Sequence, residues 1–100
     1  MNQDANIKTI ELEEELTIGD QKIASLQIRR PRAGELRGLS LGALGQMNTD
    51  ELLKLLPRIT IPTIPAPILA ELSSADLIEI AEMVTDFLLT KRKKATLPTM

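Results

Sequence analysis

The sequence contains no cysteine, histidine, tryptophan or tyrosine, and its single aromatic residue is Phe87. Each absence removes a class of function. Without cysteine there is no disulfide framework and no thiolate nucleophile, which suits a reducing compartment. Without histidine the commonest general base is missing, and with both types absent the usual zinc ligands are gone. One aromatic ring gives single-stranded nucleic acid almost nothing to stack on. Charge of one sign is also scarce: 12 basic residues face 14 acidic ones, a net charge of −2. No global field therefore draws the chain to nucleic acid. No apolar run approaches the roughly 20 residues of a membrane span. The opening residues Met1 to Asp4 lack the basic and apolar regions of a secretory signal. A cytoplasmic protein without metal, cofactor, nucleic acid or membrane is expected, and no catalytic constellation is visible.

What remains is aliphatic. The 100 residues are 43% apolar, enough for one modest core. Residues 1–6 are polar and are expected to be a flexible N-terminus. From Lys8 the even positions carry Ile10, Leu12, Leu16 and Ile18, and the odd ones carry threonine and glutamate. That period of two predicts a half-buried strand, with Glu14 out of phase and a bulge near 13–15 to absorb it. Gly19-Asp20 suits a type II′ turn. Alternation resumes with Ala24, Leu26 and Ile28, so an antiparallel hairpin is expected over about 7–30. The run Glu11, Glu13, Glu14 and Glu15 reads as a solvated strand face that discourages edge pairing; no convergent partner makes it a cation site.

Pro31 ends the strand, and helical spacing follows. Leu36, Leu39, Ala43, Leu44 and Met47 predict a helix over 34–47, weakened by Gly38, Gly42 and Gly45 on its other side. The Gly38–Gly42 spacing would allow a close backbone approach. Asn48 and Glu51 predict a capping box for a helix over 48–56, stopped near Pro57. The prolines at 62, 65 and 67 exclude a long helix or a central strand. The isoleucines at 59, 61 and 64 argue for an extended connector lying on the core. The last helix is expected over 73–90, with Ser73 or Ser74 as its start and Asp76 in its first turn. Asp76, Glu79, Glu82 and Asp86 form one acidic arc, read as solvated. The apolar side (Leu77, Ile80, Ala81, Val84, Phe87 and Leu88) makes a core stripe. Ile78 and Leu89 widen it to about 200°, more than a two-layer domain of this size covers by itself. Either the Pro-rich segment or another subunit, a second copy included, covers the excess. Lys91 to Lys94 complement the helix dipole, and 91–100 read as a loose basic tail.

The fold class expected is therefore α+β: an N-terminal antiparallel hairpin, then about three helices with a Pro-rich connector, forming one domain over 7–90. Arg29, Arg30, Arg32 and Arg37 cluster where strand gives way to helix. Arg29 and Arg30 point to opposite faces of a regular strand. Their readings are ion pairs with the hairpin glutamates or contacts with a partner protein. Candidate partner-binding residues are Arg29, Arg30, Arg32, Arg37, Ile78, Phe87 and Leu89. No basic recognition helix supports a transcriptional regulator.

This same stretch carries a family resemblance. Leu26, Ile28, Arg29, Arg30, Pro31, Ala33, Gly34, Leu36, Arg37 and Gly38 match the pattern L-x-L/I-R-R/K-P-x-A-G-x-L-R-G. It resembles the tail assembly chaperones of contractile-tailed, Mu-like bacteriophages, and the likeness continues through residues 52–60 and Asp76-Leu77. The resemblance implies a chaperone that binds the tape measure protein and keeps it soluble until the tail tube polymerises. It also implies residence in the bacterial host cytoplasm and absence from the mature virion. A longer frameshifted form and the tail tube protein are further implied partners, since Phe87-Leu88 can be encoded by a slippery T-rich run. The alternative is a self-assembling tail or baseplate component that stays in the virion.

Overall fold

The computed structural model describes residues 6–89. In chain order the elements are β1 (Ile7–Ile18), β2 (Gln21–Arg29), α1 (Leu41–Gly45), α2 (Thr49–Ile59), β3 (Thr60–Ile61), α3 (Ala66–Leu69) and α4 (Ser74–Leu88). A 3-10 turn over Ala33–Leu36 joins β2 to α1. The class is α+β, as expected, with a three-stranded antiparallel sheet in the order β1-β2-β3. Ile10, Leu16, Leu26 and Ile28 on the sheet meet Leu44, Leu52, Leu55, Leu56, Ile80, Val84 and Phe87 from the helices in one core. Each such side chain contributes about 1.5–3 kcal/mol when fully buried.

The hairpin follows the alternation of its sequence. Ile18 pairs with Gln21 across Gly19-Asp20. Gly19 has φ +59° and Asp20 is not among the positive-φ residues, which is the pattern of a II′ turn. The bulge lies where Glu14 broke the period. Glu11 pairs with Ser25 and Leu16 with Ile23, so Leu12 to Glu15 stand opposite Ala24 alone. Ala24, expected on the inner face, is exposed there.

The bulge is held by a residue assigned to the wrong surface. Asp76 is 1% exposed. Glu13 N–H donates to its Oδ1 at 2.9 Å and its Oδ2 at 3.0 Å, and Glu14 N–H donates to Oδ2 at 3.3 Å. Ser73 caps α4 by accepting Asp76 N–H at 3.1 Å, which fixes the carboxylate at the helix N-terminus. The expected acidic arc is thus divided. Glu79 and Glu82 are exposed, Asp86 pairs with Lys8, and Asp76 is buried.

Four further expectations are corrected. The helix over 34–47 is a 3-10 turn and the short α1, separated at Gly38, whose φ is +82°. Ser40 starts α1 afresh by accepting Ala43 N–H. The second helix does not stop at Pro57 but runs to Ile59, because Leu52, Leu55, Leu56 and Ile59 form one buried stripe. Glu51 also does not reach back to Asn48. It accepts Ser40 N–H at 2.7 Å, which draws its pKa down, while Asn48 caps through Glu51 N–H. Finally, the connector is partly regular. Thr60 and Ile61 pair with Ile28 and Gln27, Ile61-Pro62 is cis, and Ala66–Leu69 is helical. Residues 1–5 and 90–100, where the flexible start, the last helical residue Thr90 and the basic tail were expected, lie outside the described residues.

The glycines predict shifts of opposite sign. Gly38→Ala places a side chain at φ +82° and should destabilise by about 1 kcal/mol. Gly42 lies in α1 and a Cβ there meets nothing within 4 Å, so Gly42→Ala should stabilise by about 0.5 kcal/mol. Thermal melts of the two variants check both signs. Among the described residues nothing stands within 4 Å of a Cβ at Gly38 or Gly42, so no part of this chain makes the close approach that their spacing would allow.

Candidate functional site

The segment after Pro31 is irregular in backbone but fixed from three sides. Arg29 forms a forked ion pair with Glu35 and donates to Arg58 C=O at 2.8 Å. Arg58 in turn donates to Glu35 C=O at 2.7 Å and Arg37 C=O at 3.0 Å. Glu35 also accepts Arg32 N–H at 2.9 Å, and Glu51 holds Ser40 N–H. Arg29 and Arg30 therefore do not pair with the hairpin glutamates across the sheet. Arg29 is taken up by Glu35 and Arg58 C=O, and Arg30 by Asn6 and Phe87 C=O.

Arg30 acts on the other side of the strand end. Its Nε donates to Asn6 Oδ1 at 3.0 Å, and Nη1 donates to Phe87 C=O in the last turn of α4. Arg30 Cζ lies 5.3 Å and Lys8 Nζ 5.1 Å from the centre of the Phe87 ring. Lys8 is also paired with Asp86. Phe87, singled out above for partner contact, is 3% exposed and belongs to the core. Two cations stack on it, and one of them caps the carbonyl end of its helix.

The Glu35 pair gives a pH signature. Its pKa is lowered from 4.5 to about 2, first by the Arg29 guanidinium and then by Arg32 N–H. A folded pKa below the unfolded one stabilises above about pH 4.5, and that contribution fades as pH falls toward 2. The side chain is partly exposed, so the advantage over Glu35→Gln should stay below about 1 kcal/mol. Chemical denaturation at stepped pH should show it constant near neutrality and vanishing near pH 2.

The fixed loop carries an open apolar trough. One depression of about 540 Å³ is lined by Leu36, Leu41, Gly45, Thr85, Leu88 and Leu89. A second of about 520 Å³ adds Ala33, Gly34, Arg37 and Leu39. Leu36 and Leu41 line both. Leu41 is 60% exposed. A third hollow, of about 340 Å³, lies beyond Pro31 and is lined by Asn6, Ile7 and the three arginines 29, 30 and 32.

The structure thus brings Arg29, Arg30 and Arg32 to one hollow and places Arg37 and Leu89 on the adjoining trough. Ile78 is apart from both, 57% exposed on α4. Sequence reasoning missed Leu41, Leu88, Glu35 and Arg58. Leu41 left a signal, since it fell off the apolar stripe expected for 34–47. Among the described residues no His, Cys, Asp or Glu cluster could hold a metal ion, and no helix is long and apolar enough to cross a membrane.

Comparison with known proteins supplies the family. Residues 9–89 match the family described as phage tail assembly chaperone proteins, E, or 41 or 14. Tail assembly protein E of Escherichia phage P2 is 38% identical over 79 residues, covering 79% of this chain and 87% of its own. Tail assembly protein E′ of the same phage is 36% identical over 89 residues, covering 89% of this chain and 63% of its own. The chain thus spans less than two thirds of the longer relative. No solved structure matches it significantly. A match from β1 to the end of α4, with relatives at this identity, places the chain in the phage tail assembly chaperone family of E, or 41 or 14.

Proposed function

We propose that this non-catalytic chaperone binds the tape measure protein in the host cytoplasm, keeps it soluble until the tail tube polymerises around it, and is absent from the finished virion. Family membership over residues 9–89 is the observation that carries this reading. The physical chemistry supports it. A tape measure protein exposes long apolar helix stripes that self-associate when bare, and an aliphatic groove is the surface that covers such stripes. A trough of Leu36, Leu41, Leu88 and Leu89 without an aromatic anchor offers shape-tolerant contact of modest strength. Many copies on one long client add avidity.

The test is co-expression with the tape measure protein of the same genome, pulling on a tagged copy of this chain. Soluble tape measure in the eluate, lost when the chain is omitted, supports the reading. Tape measure that stays insoluble in both cases counts against it. Mass spectrometry of purified virions should find no copy of this chain, and its presence would favour a structural tail component.

A further inference from the structure

The hollow beyond Pro31 shares no lining residue with the trough. Its walls are Asn6, Ile7, Arg29, Arg30, Pro31 and Arg32, with no carboxylate among them. Pro31 is buried, while Arg30 and Arg32 on either side of it are exposed. Proline holds its own φ and biases the residue before it toward extended geometry. Arg32 is extended as well, at φ −94° and ψ 163°. Residues two apart on extended backbone project to the same side, about 7 Å from each other. Arg30 N–H, donating to Asn6 C=O at 2.7 Å, ties this segment to the start of β1. The two outer arginines therefore face solvent together from one fixed segment.

Their charges are not answered inside the fold. Glu35 stands beside the hollow, but both its oxygens go to Arg29, and Oε1 also accepts Arg32 N–H. Asp86 is paired with Lys8. The next carboxylate along β1, Glu11, is four residues from Ile7, about 13 Å up the strand. Lys8, Arg29, Arg30 and Arg32 thus meet two carboxylates, and Arg30 and Arg32 have no ion pair among the described residues. Donors are free as well. Arg30 places Nε on Asn6 and Nη1 on Phe87 C=O, which anchors the guanidinium and leaves Nη2 without a partner among the described residues. Arg32 is held only through its backbone N–H, so its guanidinium is wholly available. A polyanion suits the hollow poorly. The one aromatic ring is buried, and two unanswered cations are few for a phosphate backbone.

We infer that this hollow is a docking point for an acidic segment of a partner polypeptide, with a carboxylate of that segment seated between Arg30 and Arg32. The planar fork of arginine offers a carboxylate paired, charge-assisted hydrogen bonds, and clusters of arginine read acidic motifs in this way. The anchored Arg30 guanidinium reduces the ordering cost of the contact. The site is independent of the trough and of whichever client the trough holds.

A fluorescein-labelled peptide of alternating glutamate and serine, and its counterpart with glutamine at every glutamate, test the chemistry by anisotropy with the full chain. At about 0.15 M salt charges more than about 8 Å apart are largely screened, so the readout is local. The glutamate peptide should bind at least about tenfold more tightly than the glutamine one. Arg32→Glu should weaken it about tenfold, and Arg32→Lys, which keeps the charge but loses the fork, about threefold. Arg32→Gln should weaken it too while leaving the melting temperature near wild type, which separates lost binding from lost fold. Lys22→Glu on the hairpin and Arg37→Glu on the trough should each change the affinity less than about twofold.

Equal binding of the two peptides, or of the glutamate peptide to wild type and Arg32→Glu, overturns the inference. So does failure of the glutamate peptide to bind, or a loss in Lys22→Glu as large as in Arg32→Glu, which would mean a diffuse field. A single-stranded oligonucleotide that binds more tightly than the glutamate peptide and is weakened by Arg32→Glu would give the hollow to nucleic acid. Peptide binding tightened about tenfold by Asp4→Asn would give it to the chain's own first residues. Either result overturns the inference as well.

Discussion

Asp76→Ala should lower the thermal midpoint by on the order of 10–20 °C. The substitution strips the bulge of the acceptor for Glu13 N–H and Glu14 N–H, in a region where neither amide has another partner in the hairpin ladder. Losing a charged acceptor and leaving donors unmatched costs about 3 kcal/mol, and each kcal/mol shifts the midpoint of a domain this size by about 4–8 °C. Asp76→Asn keeps one oxygen but turns an N–H donor toward the bulge, so it should fall between alanine and wild type. Hydrogen exchange adds a local readout. The amides of 13 and 14 should lose protection in Asp76→Ala before the rest of β1 does. Unchanged protection at both, with an unchanged midpoint, would mean that the bulge holds itself.

The second large effect belongs to the lone aromatic ring. Phe87→Ala should destabilise by about 3–5 kcal/mol, the usual range for emptying a core phenylalanine site. A domain of this size has about 5–15 kcal/mol in total, so a measurable unfolded fraction in mild denaturant is expected. Phe87→Leu separates packing from electrostatics. It returns most of the buried area but offers Lys8 and Arg30 no ring face, at about 0.5–1 kcal/mol for each exposed cation contact. Urea denaturation of wild type, leucine and alanine variants gives the two steps directly. Equal stability of Phe87→Leu and wild type would show that the stacked cations contribute nothing.

These two residues also show where the sequence was legible. Local signals transferred well: the period of two in β1, the bulge announced by Glu14, the Gly19 turn, and the caps Asn48 and Ser73. Each depends on contacts within a few residues. Asp76 was misplaced because its charge was weighed above its position. It precedes Ile80, Val84 and Phe87 at i, i+4, i+8 and i+11, the buried line of α4, so its register already put it inside. What a sequence withholds is the distant partner, here two amides more than 60 positions away.

The break at Gly38 was hidden for a different reason. Leucines at 36, 39 and 44 satisfy a helical period even though a positive φ separates them. What holds that loop, Arg58 on the carbonyls of Glu35 and Arg37, comes from another helix. The trough inherits this difficulty, since its two walls come from residues 36–45 and 85–89 and meet only in the fold. The arginine signature could be read in the sequence. That Arg29 and Arg30 secure the loop and the helix end, and leave Arg32 and Arg37 outward, needed the structure.

The most direct measurement is the soluble fraction of the tape measure protein co-expressed with the wild-type chain or with Gly45→Gln. Wild type should keep it in the supernatant, and the Gly45→Gln chain, equally folded and equally abundant but with a side chain added to the trough lining, should let it sediment. Tape measure held soluble to the same extent by both chains would contradict the claim that this trough is where the chaperone holds its client.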